Sequence, residues 1–298
     1  MYTFSSISQL MQHLNLSTSF HPLIALVNYK DVNLDEFERK QKICLDFYKI
    51  SFKTKFSGKV RYGQGYYDFE DGGLAFLKPK QIVFSPEEDE SYEGYALYFH
   101  PDFIRNYPLG QSINRYGFFS YASSEALFLS KKEKTTIGEL FKAIAGELKN
   151  NIDPYSQDVL VTQIELLLNY SNRFYNRQFI TRKAVNNDIV ARLDKLLDEY
   201  FDSNTALKRG LPSVQDISDQ LNLSSRYLSD MLRSLTGLNT QQYIQDKVIE
   251  KSKDLLSSTS FSVSEVAYQL GFGHPQSFSK LFKSKMHITP LEYRQSFN

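Results

Sequence analysis

Apolar and polar positions alternate along ICLDFYKISFK, residues 43 to 53. Tyr48, Ile50 and Phe52 fall on one face, and Phe47, Lys49, Ser51 and Lys53 on the other, the two-residue period of a half-buried strand. The same period runs through KVRYGQGYYDF, GLAFLKP, QIVFSP and YEGYALYFH. Turn residues interrupt it at Asp71-Gly72-Gly73, Pro79 and Pro86. Residues 20 to 100 are therefore expected to form several short strands, the pattern of a small barrel or sandwich.

The period then lengthens. In SKKEKTTIGELFKAIAGELKN, Ser130 and Glu133 form a capping box, and Ile137, Leu140, Phe141, Ile144 and Leu148 line one face of an amphipathic helix. Asp153 and Pro154 suit the cap and first position of a second helix, which runs through Ile164, Leu167 and Leu168 towards Phe179. NRQFITRKAVNND has no clear period, which puts a domain boundary near residues 176 to 188. From Asp188 the pattern is helical throughout, beginning with a face of Val190, Leu193, Leu197 and Tyr200 and broken by DSNTALKRGLP.

The last ninety residues contain a repeat. VQDISDQLNLSSRYLSDMLRSLTGLNTQQYI, residues 214 to 244, aligns with the segment from Val263 to Arg294. Val214, Asp216, Ile217, Gln220, Leu221 and Leu223 match Val263, Glu265, Val266, Gln269, Leu270 and Phe272. After one added residue, Leu228, Ser229, Leu232, Ser234 and Tyr243 match Phe278, Ser279, Phe282, Ser284 and Tyr293. Each copy reads as a short helix, a turn and a second helix, a helix-turn-helix at about 211–235 and again at about 261–286. Ser224 caps the second helix of the first copy. In the second copy Gly271 releases the first helix and Pro275 begins the next. TQQYIQDKVIEKSKDLL between them suits one continuous helix of roughly 25 Å, which would hold the two hairpins about one DNA turn apart.

Composition narrows the class. Hydrophobic residues make up 41% and charged residues 23%, with 23 Phe and 20 Tyr, as expected of a globular chain with room for two cores. The polar start MYTFSSISQLMQHLNLS and the lack of a long apolar run predict a cytoplasmic protein without a membrane span. Cys44 is the single cysteine, so no internal disulfide or multi-thiolate metal site is available, and it reads as a small buried apolar residue. A net charge of +1 names no partner.

The outward faces of the repeat do. Once the apolar positions are buried, Ser224, Ser225, Arg226, Ser229, Asp230 and Arg233 remain on the first candidate reading helix. Pro275, Gln276, Ser277, Ser279, Lys280 and Lys283 remain on the second. Arg can pair with guanine and Gln with adenine, Ser and Lys take bases or phosphates, and Asp230 can accept from cytosine N4. A duplicated helical hairpin that only packs a core is the plainer reading of the period alone.

The paired hairpins joined by a long helix, with GFGHPQSFSKLFKSK leading into ITPLEYR, resemble the DNA-binding domain of the AraC/XylS family of bacterial transcription regulators over about residues 188 to 296. The resemblance makes 224–235 and 275–285 the recognition helices. Three departures stand out. His287 occupies a position usually glycine in the family, although Gly237 is kept in the first copy; Lys247 and Ser252 replace a common Arg and Ala. The segment 188–298 also carries 13 basic and 13 acidic residues, where a DNA-binding domain is usually basic. Asp188, Asp194, Asp198, Glu199 and Asp202 weight that balance on the entry helix, and the low net charge implies reliance on a dimer.

By the same resemblance, the fold class is α+β and multidomain. An antiparallel, cupin-like ligand-binding barrel would span residues 1–130, a helical dimerisation and linker region 131–187, and an all-α DNA-binding domain with two helix-turn-helix motifs 188–298. The implied function is a sequence-specific regulator with an operator duplex, a small-molecule effector, a second copy of itself and RNA polymerase as partners. Tyr48, Phe52, Tyr62, Tyr67, Phe76, Tyr95 and Phe99 are the aromatic candidates for an effector pocket. A barrel that serves only for oligomerisation, or a cupin-type enzyme fused to a DNA-binding tail, are the alternatives. His13, His21 and His100 include no His-x-His pair, which argues against a metal centre. Cys44 has no recognisable basic partner, and no nucleophile elbow or phosphate loop is present, so neither catalytic residues nor a cofactor are expected.

Overall fold

Alternation in the first third of the chain resolves into short strands, and the longer period that follows into helices. The computed structural model describes the chain except residues 1, 18–20, 33–41, 58, 63–64, 69–71, 85–90, 123–124, 151–152, 204 and 298; side chains are described outside 55–71, 83–92 and 183–184 as well. It divides into two compact units, Met1–Gln178 and Phe179–Asn298.

Among the described residues the first unit holds ten strands: β1 (Tyr2–Phe4), β2 (Ile24–Asn28), β3 (Lys42–Leu45), β4 (Tyr48–Ser57), β5 (Lys59–Tyr62), β6 (Gly65–Asp68), β7 (Gly73–Leu77), β8 (Ile82–Phe84), β9 (Ser91–Phe99) and β10 (Leu127–Phe128). Their helices are α1 (Ile7–His13), α2 (Pro101–Ile104), α3 (Pro108–Ser112), α4 (Lys131–Glu147) and α5 (Ser156–Thr181), whose last turn crosses the division. The strands form a five-stranded sheet in the order β10-β7-β4-β9-β2, a three-stranded sheet β1-β3-β8, and the hairpin β5-β6. Pairing is antiparallel except between β1 and β3, which run parallel. The described ladders keep the three sheets separate, so no continuous ring of strand pairing closes a barrel among the described residues.

β4 is the centre of the large sheet, and its two faces differ in chemistry. Tyr48, Ile50 and Phe52 share their face with Phe76, Leu74, Leu97 and Phe99 through direct cross-strand pairing. Helices cover that face: Phe52 meets Phe141 of α4 at 5.3 Å between ring centres, and Phe76 meets Phe118 at 4.3 Å and Tyr175 of α5 at 6.3 Å. Burying each of these rings contributes on the order of 2–3 kcal/mol. The opposite face carries Lys49, Ser51 and Lys53, and alternation predicts it to be wet. Ser51 and Lys53 are instead buried, because a second apolar layer covers this face, packing on Ala96, the cross-strand partner of Ser51. Beside them Ala25, Val27, Ala96 and Tyr98 pack with Phe4, Ile7, Leu10, Met11, Leu45 and Phe47.

The capping box expected before α4 is present. The Ser130 hydroxyl accepts from the Glu133 N–H, and the Glu133 carboxylate accepts from the Ser130 N–H. The expected start of α5 moves by a few residues. Asp153 accepts from the N–H groups of Tyr155 and Ser156, holding Asp153-Pro154-Tyr155 in a turn before the helix. At its other end Gln178 behaves as a strand neighbour: its amide oxygen accepts from the Phe128 N–H and its amide nitrogen donates to the Ala126 carbonyl.

The second unit contains α6 (Lys183–Asp202), α7 (Thr205–Arg209), α8 (Val214–Leu221), α9 (Ser225–Thr236), α10 (Thr240–Ser258), α11 (Val263–Gln269), α12 (Pro275–Met286) and α13 (Pro290–Gln295). The expected break at DSNTALKRGLP thus includes a short helix, α7. The core is that of the repeat, with Ile217, Leu221, Leu228, Met231 and Leu232 from the first copy and Val266, Ala267, Leu270, Phe278 and Phe282 from the second, all buried. Ile244, Val248, Ile249 and Leu256 add the inward side of α10, and Leu193 and Leu197 that of α6.

Candidate nucleic-acid interface

Both hairpins are built by local chemistry that the sequence already contains. Ser213 caps α8 and Ser224 caps α9, each accepting from the N–H three residues on. Between these helices Asn222 takes the left-handed conformation at φ 58°. In the second copy Ser262 and Glu265 form a capping box before α11, Gly271 turns the chain at φ 88°, and Pro275 opens α12. That turn admits only glycine, since a Cβ on Gly271 would lie 2.6 Å from the Gly210 carbonyl carbon.

Polar residues on the outer side of α9 and α12 are not equally available. Arg226 and Arg233 are exposed, as are Gln276, Ser277, Lys280 and Lys283. Asp230, Ser279 and Pro275 are half-buried. Ser224 is occupied as a cap, the Ser225 hydroxyl donates to the Gln215 side chain at 3.0 Å, and the Ser229 hydroxyl accepts from the Thr240 N–H at 3.3 Å. These three serines therefore hold the hairpin together, whatever else they touch. Asp230 is engaged by both arginines of its helix, with 2.9 Å to Arg226 and 2.9 Å to Arg233.

The even charge balance of this unit has a structural explanation. Asp194, Asp198 and Asp202 recur every four residues on α6, and Tyr243, Lys247 and Lys251 recur every four on α10, so each set forms a row. The rows meet. Asp194 accepts from Tyr243 and Lys247, Asp198 pairs with Lys247 and Lys251, and Asp202 pairs with Lys251 at 2.8 Å. Burial, with Asp194 beside it, pushes the Tyr243 hydroxyl up to about 12, and the hydrogen bond that Lys251 donates to Asp202 raises Lys251. Lys285 pairs with Asp246 and Lys253 with Glu250. Lys280 and Lys283 of α12 make no ion pair among the described residues, which leaves these two cations exposed to an outside anion. Spacing could have revealed the two rows, but not that they face each other across about fifty residues.

The aromatic candidates of the first unit are placed differently. Phe52, Phe76 and Phe99 are fully packed, and Tyr48 stacks on Phe99 at 5.0 Å. Tyr95 lies 6.1 Å from Phe141. The side chains of Tyr62 and Tyr67 fall outside the described residues. A cavity of about 260 Å³ lies elsewhere, between Met11, Leu16, Ala25, Val27, Ala145 and Leu148, with Asp31 and Lys149 on its wall. None of the five described aromatic candidates lines it. No group of three or more His, Cys, Asp or Glu side chains converges among the described residues. No described helix is long and apolar enough to cross a membrane.

A unit of two capped helix-turn-helix motifs sharing one central helix, preceded in the chain by a sheet unit, defines a two-part DNA-binding regulator class. Comparison with known proteins agrees. Residues 33–164 match the AraC-like ligand binding domain, and residues 217–296 match a helix-turn-helix domain. The chain belongs to the AraC/XylS family of bacterial transcription regulators. The HTH-type transcriptional activator RhaS of Salmonella schwarzengrund is 31% identical over 143 residues, 47% of this chain and 46% of that protein. The matched region thus spans about half the length of such curated relatives. Among solved structures, the C-terminal domain of the two-component response regulator yesN from Fusobacterium nucleatum is 31% identical, covering 36% of this chain and 98% of that one with a TM-score of 0.32. The C-terminal domain of AraT, a response regulator from Geobacillus stearothermophilus, is 27% identical over 36% and 84%, also with a TM-score of 0.32.

Proposed function

We propose that this protein is a sequence-specific, DNA-binding transcription regulator whose first domain binds a small effector. The observation that carries the reading is the pair of outward faces on α9 and α12. Each belongs to a capped helix-turn-helix with a buried apolar side, and together they present Arg226, Arg233, Gln276, Ser277, Lys280 and Lys283. One 19-residue helix, α10, links the two. The proposed boundaries are 1–130 for the ligand-binding domain, 131–187 for a dimerisation and linker region and 188–298 for the DNA-binding domain. Support for a homodimer comes from Tyr155, just before α5, and Val159 and Leu166 on it, large apolar residues that are exposed along one side. RNA polymerase is the further partner of an activator, and the cytoplasm is where such a protein meets DNA.

The test is selection of bound sequences from a pool of randomised duplexes by the full chain. Arg226→Ala and Gln276→Ala should relax preference at separate positions of the selected site, each by about 1–3 kcal/mol. Unchanged preference in both variants would remove these residues from base reading. For the effector, a thermal-shift screen against sugars, small acids and aromatic compounds should find a class that raises the melting temperature. No shift with any class would favour the barrel as an oligomerisation scaffold alone.

A further inference from the structure

Arg226 and Arg233 lie seven residues apart on α9, two turns or about 10.5 Å along its axis. Asp230 stands between them on the same side, four residues after one and three before the other. Its carboxylate engages both. One oxygen accepts from Arg226 Nε at 2.9 Å, and the other accepts from a terminal nitrogen of Arg233 at 2.9 Å. The Asp230 side chain is 18% exposed, whereas those of Arg226 and Arg233 are 45% and 51% exposed. The anion thus lies beneath two outward guanidinium groups.

This arrangement has two consequences. Arg226 is held through Nε, which leaves both terminal nitrogens as a fork, the donor pair that guanine O6 and N7 accept. Arg233, held through one terminal nitrogen, keeps Nε and the other terminal nitrogen free of Asp230. The trio also carries a net charge of only +1, so it attracts phosphate less than two free arginines would. On α12, by contrast, Lys280 and Lys283 have no ion pair among the described residues.

We propose that Asp230 is a positioning residue which fixes Arg226 and Arg233 for base reading and withholds them from phosphate, so that α9 supplies discrimination while α12 supplies salt-dependent affinity. Asp230 then acts through its neighbours and does not itself accept from a cytosine. This rests on the DNA-binding reading above.

The experiment uses the full chain, with Asp230→Ala and Asp230→Asn, on two probes: the duplex that the wild-type protein enriches from a randomised pool, and poly(dI-dC). Both are titrated across salt. Releasing the arginines should tighten binding to poly(dI-dC) and steepen its logarithmic salt dependence by about 1 or more. The ratio of affinities for the enriched and the nonspecific duplex should fall about ten-fold. In an Arg226→Ala background the further drop caused by Asp230→Ala should shrink, as expected of residues that act together. Circular dichroism and a melting curve identify a variant that fails to fold, and the other variant is then read. Equal tightening on both probes with an unchanged ratio would overturn the proposal, because it makes Asp230 a repellent only. Equal weakening on both would overturn it too. If the wild-type protein enriches no sequence, the DNA-binding reading itself fails, an outcome visible before any variant is compared.

Discussion

His287 closes α12 in the left-handed conformation, at φ 63° and ψ 1°, and its N–H donates to the Lys283 carbonyl at 2.9 Å. In the first copy of the repeat the same place is held by Gly237, at φ 79°. An L-residue loses roughly 1–2 kcal/mol there from the approach of its Cβ to the backbone, with histidine near the lower end. The exposed imidazole makes no hydrogen bond or ring contact among the described residues, so His287→Gly removes strain without removing a partner. Glycine's extra freedom in the unfolded chain offsets about 0.5 kcal/mol of the gain. A net stabilisation of about 0.5–1 kcal/mol remains. For a unit of about 120 residues this corresponds to roughly 2–4 °C in melting temperature. Two reciprocal changes bracket it. A Cβ on Gly237 meets nothing within 4 Å, so Gly237→Ala isolates the conformational cost and should lose about 1 kcal/mol. Gly271→Ala adds a collision with the Gly210–Leu211 backbone and should lose about 3 kcal/mol or more. Scanning calorimetry of the full chain reads all three. If His287→Gly leaves the transition unchanged while Gly237→Ala lowers it, the strain argument is wrong.

Two further outcomes can be checked by urea unfolding. Gln178→Met keeps the bulk of the side chain but strands the Phe128 N–H and the Ala126 carbonyl, and should cost about 2–3 kcal/mol; a loss within error would mean that these groups find other partners. The backbone N–H groups of Ser262 and Thr289, followed by their hydroxyls, hold the Glu265 and Glu292 carboxyls below the usual 4.5, with Lys283 adding to the effect on Glu292. A depressed folded-state value means stability present above the unfolded value and lost as pH falls through the folded one. The stability gap between the wild-type chain and a Glu265→Gln, Glu292→Gln double variant should therefore exist at neutral pH and close as pH falls through the lowered folded-state values. A gap that persists in acid would show that the charge of these caps is immaterial.

Local pattern carried a large part of this protein. The repeat, the caps at Ser130, Ser224 and Ser262, the turn glycines and the apolar sides of α9 and α12 are all set by residues within a few positions of one another. Hydrogen bonds and steric limits at that range do not need the rest of the fold, so the two helix-turn-helix units are legible in the chain, and His287 stands out as the irregular position. Tertiary structure decided what distant residues do with one another. Alternation put Lys49, Ser51 and Lys53 on one side of a strand, but only the apolar layer that packs on that side, over Ala96 and Tyr98, buries Ser51 and Lys53. The aromatic residues at 52, 76 and 99 look the same in sequence whether they line a pocket or fill a core; α4, α5 and the segment at Phe118 and Phe119 fill the space over them. The acidic row of α6 spoke against a nucleic-acid partner until it met the basic row of α10. Burial and charge pairing depend on what arrives from elsewhere in the chain, and a period of two or four residues contains no record of it.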